Sequence, residues 1–245
     1  MTRGARSLLV PGVATAMAFA LLSTLGFWQL RRLDEKEALI ARIETRLDAP
    51  PQAAPPHDAW ASLAPADYDF RHVRVSGHYI GGPDALMYAQ APQGFGPEPG
   101  YIVMSPFEIS GGGVVLVERG FVPQSKKSAY RPPPVGDTRL VGHLRAPQSR
   151  NLFTPVDSPA QRLWYTRDPA AIAASLKIGE AAPFSLAVDS GADVDPGQPL
   201  PVPDAPHIVN NHLSYAITWF GLAGALLFIF ALFARARFST HDSRL

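Results

Sequence analysis

Cysteine is absent from all 245 residues, which excludes disulfides, thiolate metal sites, iron–sulfur clusters and thiol catalysis. No charge sign dominates either. The 22 basic and 21 acidic residues leave a formal +1, far from the basic excess that holds nucleic acid, so no nucleic-acid partner is expected. Enzyme signatures are missing too: there is no Gly-x-Ser-x-Gly elbow, phosphate loop, dinucleotide fingerprint or His-Glu-x-x-His. No catalytic residue is assigned, and the chain is not expected to be an enzyme. Finally, charge is missing locally. Residues 7–30 contain no charged side chain, and neither do residues 213–234. Each run exceeds the roughly 20 residues that cross about 30 Å of hydrocarbon at 1.5 Å per residue.

What is present is segregated along the chain. Residues 1–6 form a basic tip, 7–30 a first transmembrane helix and 31–50 an amphipathic helix. Residues 51–206 form a β-rich domain with proline-rich tethers, 207–234 a second transmembrane helix and 235–245 a tail. The tips carry Arg3, Arg6, Arg235, Arg237 and Arg244 against Asp242, a net +4, while the region between the spans has a net −3. Basic flanks stay cytoplasmic, whereas long loops translocate with little regard to charge. Both termini are therefore expected inside and the domain outside: periplasmic for a bacterial inner membrane, intermembrane space for a mitochondrion. A cleaved signal peptide is the rival reading, with small-residue sites at Ala14-Thr15-Ala16 or Ala18-Phe19-Ala20. Cleavage there would strand about ten apolar residues in water, and that remainder passes into the helical spacing of Leu33, Ile40, Ile43 and Leu47, stopped by Pro50-Pro51.

The central region holds 24 of the 25 prolines, a density that forbids long helices and favours short strands between turns. Residues 71–79 alternate, with Val73, Val75 and Tyr79 on one face and His72, Arg74, Ser76 and His78 on the other. Further strands are expected at 85–89, 101–109, 114–122, 138–144, 163–166 and 184–188, with Gly111-Gly112-Gly113 as a hairpin turn. One helix is signalled by Asp168 as N-cap and Pro169 at N1, running to Leu176. Residues 50–65 and 191–206 read as tethers. The fold expected is two transmembrane helices flanking a mainly antiparallel β (α+β) external domain, with the sheet barrel-like.

Polar residues in the strands carry little chemistry by spacing alone. His72 and His78 lie about 20 Å apart at about 3.3 Å per residue, too far for one metal, so both read as polar residues on a half-exposed strand. Glu118 and Arg119 point to opposite faces of a strand, and a surface role is expected for them. The span borders are richer. Gly26-Phe27-Trp28-Gln29-Leu30-Arg31-Arg32 closes the first span, and Asn210-Asn211-His212-Leu213-Ser214-Tyr215 opens the second. His212, Tyr215 and Trp219 fall at i, i+3, i+7 on one helix face, as do Trp28 and Arg32 four apart. Two readings stand side by side: an aromatic belt touching headgroups, or a ligand site in which neutral His212 binds haem iron and the rings pack on a porphyrin.

The motif Leu25-Gly26-Phe27-Trp28-Gln29-Leu30 with Arg32, the segment 115–123 with its Val-x-Arg-Gly, Trp164-Tyr165, and Asn211-His212-Leu213-Ser214-Tyr215-Ala216-Ile217-Thr218-Trp219-Phe220 occur here in order. Together they resemble the Surfeit locus protein 1 family, assembly factors for haem-copper cytochrome c oxidase, over essentially the whole chain. Glu118 and Phe121 stand where members of that family tend to have Asn and Trp. The resemblance implies a non-catalytic helper that binds or shelters haem a, transiently, for insertion into the oxidase's large subunit. It implies partners in that subunit, the haem a synthesis machinery and the lipid bilayer. It also singles out His212, as iron ligand, and Trp219; Tyr215 shares their face. Trp28, Gln29 and Arg32 match a family motif and are expected to support the second span, with haem propionates near Arg31 or Arg32.

Three function classes follow: a haem-binding assembly factor, a haem-independent scaffold for an oxidase intermediate, and a tethered receptor or enzyme working through residues 51–206. The charge split gives a direct test of topology. Reporter fusions after Arg6 and after Leu245 are expected to register cytoplasm, and one near Gly112 the outside; a cytoplasmic signal at Gly112 overturns the orientation.

Overall fold

Between the first tip and Pro50 only Pro11 would interrupt a helix, and the helix runs through it. In the computed structural model, which describes residues 3–92, 94–189, 197–200, 202 and 209–242, the first helix α1 runs unbroken over Arg3–Leu47 with Pro11 inside it. The expected span and amphipathic helix are thus one element. It ends just before Pro50-Pro51, whose rings disfavour helical geometry in the preceding residue. The chain divides into two compact units, Met1–Arg42 with His207–Leu245, and Ile43–Pro206.

In the first unit, both helices are long and apolar enough to cross a membrane. Their outward residues are large and apolar, with Val10, Met17, Leu21, Phe27, Ile217, Phe228 and Ile229 all exposed. Water tolerates no apolar surface of that extent, and lipid does. Along α1 the less exposed positions include Leu8, Gly12, Thr15, Ala18, Leu22, Gly26 and Gln29, a three-and-four spacing that makes a seam. Several are small, as close approach of membrane helices requires. The last helix of the chain supplies the other half of the seam and is described with the site below.

The second unit is built on one sheet, with a single-turn helix α2 (Pro65–Tyr68) just ahead of its second strand. Its strands are β1 (Gln52–Ala53), β2 (His72–Tyr79), β3 (Ala85–Ala89), β4 (Gly100–Ile109), β5 (Val114–Pro123), β6 (Asp137–Arg145), β7 (Leu163–Trp164) and β8 (Ala181–Val188). Among the described residues the order is β1-β2-β6-β8-β5-β4-β3-β7, and β2 also pairs with β4. That extra pairing closes β2, β6, β8, β5 and β4 into a ring, the barrel-like sheet expected. Val73, Val75, Phe107, Val115, Val117, Leu144, Phe184 and Leu186 form one core. Met87, Ile102, Met104, Leu116, Phe121 and Trp164 form another on the opposite face, covered by Ile172 of α3 (Pro169–Leu176). Strands β4 and β5 are buried on both faces and so show continuous apolar runs, while β2 alternates as read. Helix α3 begins as the sequence indicates: the Asp168 carboxylate accepts from the Ala171 N–H at 3.0 Å.

Among the described residues the sheet is mainly antiparallel, as expected, with parallel pairings at β1–β2, β3–β7 and β5–β8; β8 returns beside β5 only after β6, β7 and α3. Two expectations need correction. The segments read as tethers contribute to the domain: Trp60 is buried in the first core, and Leu200 exchanges backbone hydrogen bonds with Phe121 at 2.7 and 2.8 Å. Residues 191–196, 201 and 203–206 of the second tether lie outside the described residues. Glu118 and Arg119, in turn, are buried rather than superficial.

A β-bulge explains how both fit. Val103 pairs with Gly120 and Met104 with Glu118, so Arg119 is the extra residue and its side chain is re-aimed. Gly120 sits at φ +138, and a Cβ there would meet the Leu200 carbonyl oxygen at 2.4 Å. Arg119 lies 3.7 Å from Asp84 and donates to the Arg131 carbonyl at 2.8 Å. On the other face Glu118 is clasped by Arg167 through both carboxylate oxygens and accepts from the Ser185 hydroxyl. Burial alone would raise the Glu118 carboxyl, but the charge and hydrogen bonds of Arg167, with Arg145 and Ser185, hold it below its ordinary value.

This pair yields a stability prediction. Glu118→Ala strands a buried guanidinium and is expected to cost about 3–5 kcal/mol, whereas replacing Glu118 and Arg167 together by leucine recovers most of it. The folded carboxyl is depressed, so its contribution is present above the unfolded value near 4.5 and is lost as pH falls through the folded value. Denaturant midpoints followed by tryptophan fluorescence should therefore separate wild type from Glu118→Ala at pH 7 and converge at acid pH.

Candidate functional site

A glutamine inside an uncharged helical run is costly unless something answers its amide, because lipid offers no hydrogen bonds. Gln29 is such a residue, and it is buried in the seam of the first unit. Its answer comes from the last helix, α4 (His212–Asp242). The Gln29 Oε1 and His212 Nδ1 atoms lie 2.7 Å apart. Gly26 faces Phe220 and Gly12 faces Phe230, so successive contacts run forward on one helix and backward on the other: the helices are antiparallel. On α4 the seam positions are His212, Ala216, Trp219, Ala223 and Leu226, again three and four apart.

Close approach at this level depends on small residues. Ala216 and Ala223 are buried, and a Cβ built on Gly26 would stand 2.7–2.9 Å from the Phe220 ring. The Phe27 and Phe220 rings meet edge to face at 5.2 Å. The start of α4 is tied by the Asn210 side chain, which accepts from the His212 N–H at 3.4 Å.

The hydrogen bond decides the chemistry open to His212. An amide oxygen accepts, so Nδ1 carries the proton and, in the neutral ring, Nε2 keeps its lone pair. Ligating histidines are held in the same way, by a partner on the nitrogen that does not ligate. Trp219 lies two turns along the same face and is half-buried. The other candidates are arranged differently. Tyr215 and Trp28 are exposed, and Arg32 is engaged by Glu35 at 2.6 Å, one turn along its own helix. The structure thus brings together Gln29 and His212, sets Trp219 along their seam, and leaves Tyr215, Trp28 and Arg32 on outer faces. Sequence spacing gave no pairing between Gln29 and His212 and no role to Gly26 and Phe220. The available signal was a lone glutamine and a glycine inside a span.

The SURF1 family model matches residues 16–224, a stretch that includes Gln29 and His212. The chain belongs to the SURF1 family. It is 32% identical over 237 residues to mouse Surfeit locus protein 1, covering 91% of this chain and 72% of that protein. It is 30% identical over 224 residues to a SURF1-like protein of Monosiga brevicollis, covering 86% and 82%. A SURF1-like protein of Rickettsia felis is 27% identical over 223 residues, covering 89% and 94%. In this SURF1-family chain, the two span borders whose motifs carried the resemblance are the segments joined by the Gln29–His212 hydrogen bond.

The seam itself is testable. Gly26→Leu drives a branched side chain into the Phe220 ring, and overpacking of this kind costs about 1–3 kcal/mol. Unfolding in mixed detergent micelles should show that loss, and adding Phe220→Ala should return part of it. Equal and additive losses would contradict the contact.

Proposed function

We propose that this chain is an assembly factor for a haem-copper cytochrome c oxidase, acting in the bacterial inner membrane or its mitochondrial counterpart. It binds or shelters haem a on its way to the oxidase's large subunit. Membership in the SURF1 family supports the assembly role. The observation that carries the haem reading is the Gln29–His212 hydrogen bond at 2.7 Å.

His212 is the iron ligand in this reading. Gln29 fixes its tautomer and ring orientation, which keeps the Nε2 lone pair free to ligate. Trp219 supplies an aromatic wall along the same seam, and exposed Tyr215 borders it toward lipid. Bound haem a supplies the redox- and ligand-active iron that the oxidase needs. Arg32 is committed to Glu35, so Arg31 is the nearer candidate for a propionate at this border. Both termini lie inside and the β domain outside, which puts the site at the outer membrane surface, where an amphipathic porphyrin keeps its tail in lipid and its carboxylates in water.

One observation favours a second reading, a haem-independent scaffold: Gln29 and His212 already satisfy one another, as a purely structural pair would. The two readings part on one experiment. The detergent-solubilised protein, purified from a host that makes haem a, is expected to carry a haem a spectrum. His212→Ala should reach the membrane at normal level, since residues 213–234 still span, and carry little or no haem. Gln29→Ala should weaken retention about 10–100-fold, the scale of outer-shell effects on ligands. Full haem occupancy of His212→Ala would sink the ligand assignment and leave the scaffold.

A further inference from the structure

Three strands of the domain meet at a group of two histidines and an aspartate, away from the span borders in sequence. His72 of β2 is the cross-strand partner of His143 of β6, and their rings stack at 4.5 Å with planes 17° apart. His143 in turn pairs with Ala187 of β8, and Asp189 follows directly where β8 ends, held by its N–H on the Val141 carbonyl at 3.0 Å. Sheet register alone therefore delivers two imidazoles and a carboxylate to one place. His72 finds its partner on the next strand rather than in His78.

The contacts on the far sides of the rings set the tautomers. His72 Nδ1 lies 2.6 Å from the Ala49 carbonyl oxygen, and His143 Nε2 lies 3.4 Å from that of Leu47. A carbonyl oxygen accepts only, so these nitrogens carry protons. In neutral rings His72 Nε2 and His143 Nδ1 then present lone pairs. Both face the same carboxylate: His72 Nε2 is 2.9 Å from Asp189 Oδ2, and His143 Nδ1 is 3.3 Å from Asp189 Oδ1. Lone pairs on nitrogen and a carboxylate repel one another unless a cation stands among them.

We propose that His72 Nε2, His143 Nδ1 and the Asp189 carboxylate form a binding site for a borderline divalent cation of the Zn²⁺ class. Four observations agree. Metal–ligand bonds of 2.0–2.2 Å space neighbouring ligand atoms about 3 Å apart, and the two nitrogen–oxygen separations already have that value. The three ligand atoms all lie within 4.8 Å of one another, so closing on an ion requires shifts of about 1 Å. Both imidazoles donate their remote N–H to backbone carbonyls, the outer-shell arrangement of metal-bound histidine. Asp189 Oδ1 is buried and receives no hydrogen bond among the described residues. Imidazole and carboxylate together suit Zn²⁺, which imposes no geometry of its own. The two carbonyls belong to the end of α1 and the residues just past it. A bound ion would fasten that end to β2, β6 and the close of β8 as a structural clip.

The test is a calorimetric titration of the detergent-solubilised full chain with Zn²⁺ alone. One equivalent is expected to bind, with an apparent heat that changes with buffer ionisation enthalpy, because ligation displaces protons. Asp189→Asn and His143→Gln should each weaken binding at least tenfold, the minimum for changes even in the outer shell. His143 is buried, so that variant is interpreted only if its circular dichroism matches the parent. Asp189, at the rim, is the decisive substitution. His78→Gln should leave binding unchanged, which separates this site from the surface histidines. A chain that binds no Zn²⁺ at 100-fold excess, or one whose affinity survives Asp189→Asn, overturns the site and leaves a proton-bridged histidine pair.

Discussion

Hydrocarbon offers no hydrogen bonds, and the organisation of the helix pair follows from that single constraint. Every backbone group must be satisfied within its own helix, and a polar side chain must be met by another side chain or, like the Thr24 and Thr218 hydroxyls, by a carbonyl of its own helix. Gln29 is such a side chain, and His212 meets it. The contact can form only if the helices approach closely, which Gly26, Ala216 and Ala223 permit, and only in an antiparallel register that places the end of one span beside the start of the other. A glutamine and a histidine thereby fix the register of two otherwise uniformly apolar helices. Apolar packing is non-directional and would tolerate a shift of one turn; a buried amide would not.

The same logic, with water in place of lipid outside, governs the β domain. Glu118 and Arg119 are adjacent on one strand and would point to opposite faces of a regular sheet. The bulge at Arg119 and the left-handed backbone of Gly120 keep both inside, each with a separate partner. Arg167 comes from the chain just before α3, so the buried ion pair couples the helix cap to the centre of β5. Breaking one half is expected to be worse than never having made it. His72, His143 and Asp189 repeat the theme at another point of the sheet, where cross-strand register brings titratable groups together that the linear sequence keeps 46 or more residues apart.

Much of this was legible in the sequence, for identifiable reasons. Two uncharged runs gave the two long helices, and the period-two pattern of 71–79 gave β2 with its buried Val73 and Val75. Asp168-Pro169 gave the start of α3, because capping is a local interaction. What escaped was non-local. The parallel pairing of β5 with β8 needs a crossover that no local pattern reveals. Trp60 and Leu200 sit in proline-rich segments whose composition reads as tether, yet each is captured by a partner far away in sequence. Glu118 was read as superficial because a charge in a strand usually is, and only the approach of Arg167 reverses that. At the span borders, spacing put His212 and Trp219 on one face but could not pair His212 with Gln29, since nothing in either helix states its register against the other.

We propose that the Gln29 amide oxygen, by accepting from His212 Nδ1, leaves Nε2 to act as an iron ligand. The most direct test is the reduction potential of haem a held by the purified protein when Gln29 is replaced by Glu. A carboxylate is a stronger acceptor than an amide, makes the imidazole more basic and stabilises the oxidised iron. The account predicts a potential below that of the parent in Gln29→Glu and above it in Gln29→Ala. A potential that is the same in all three proteins would contradict it.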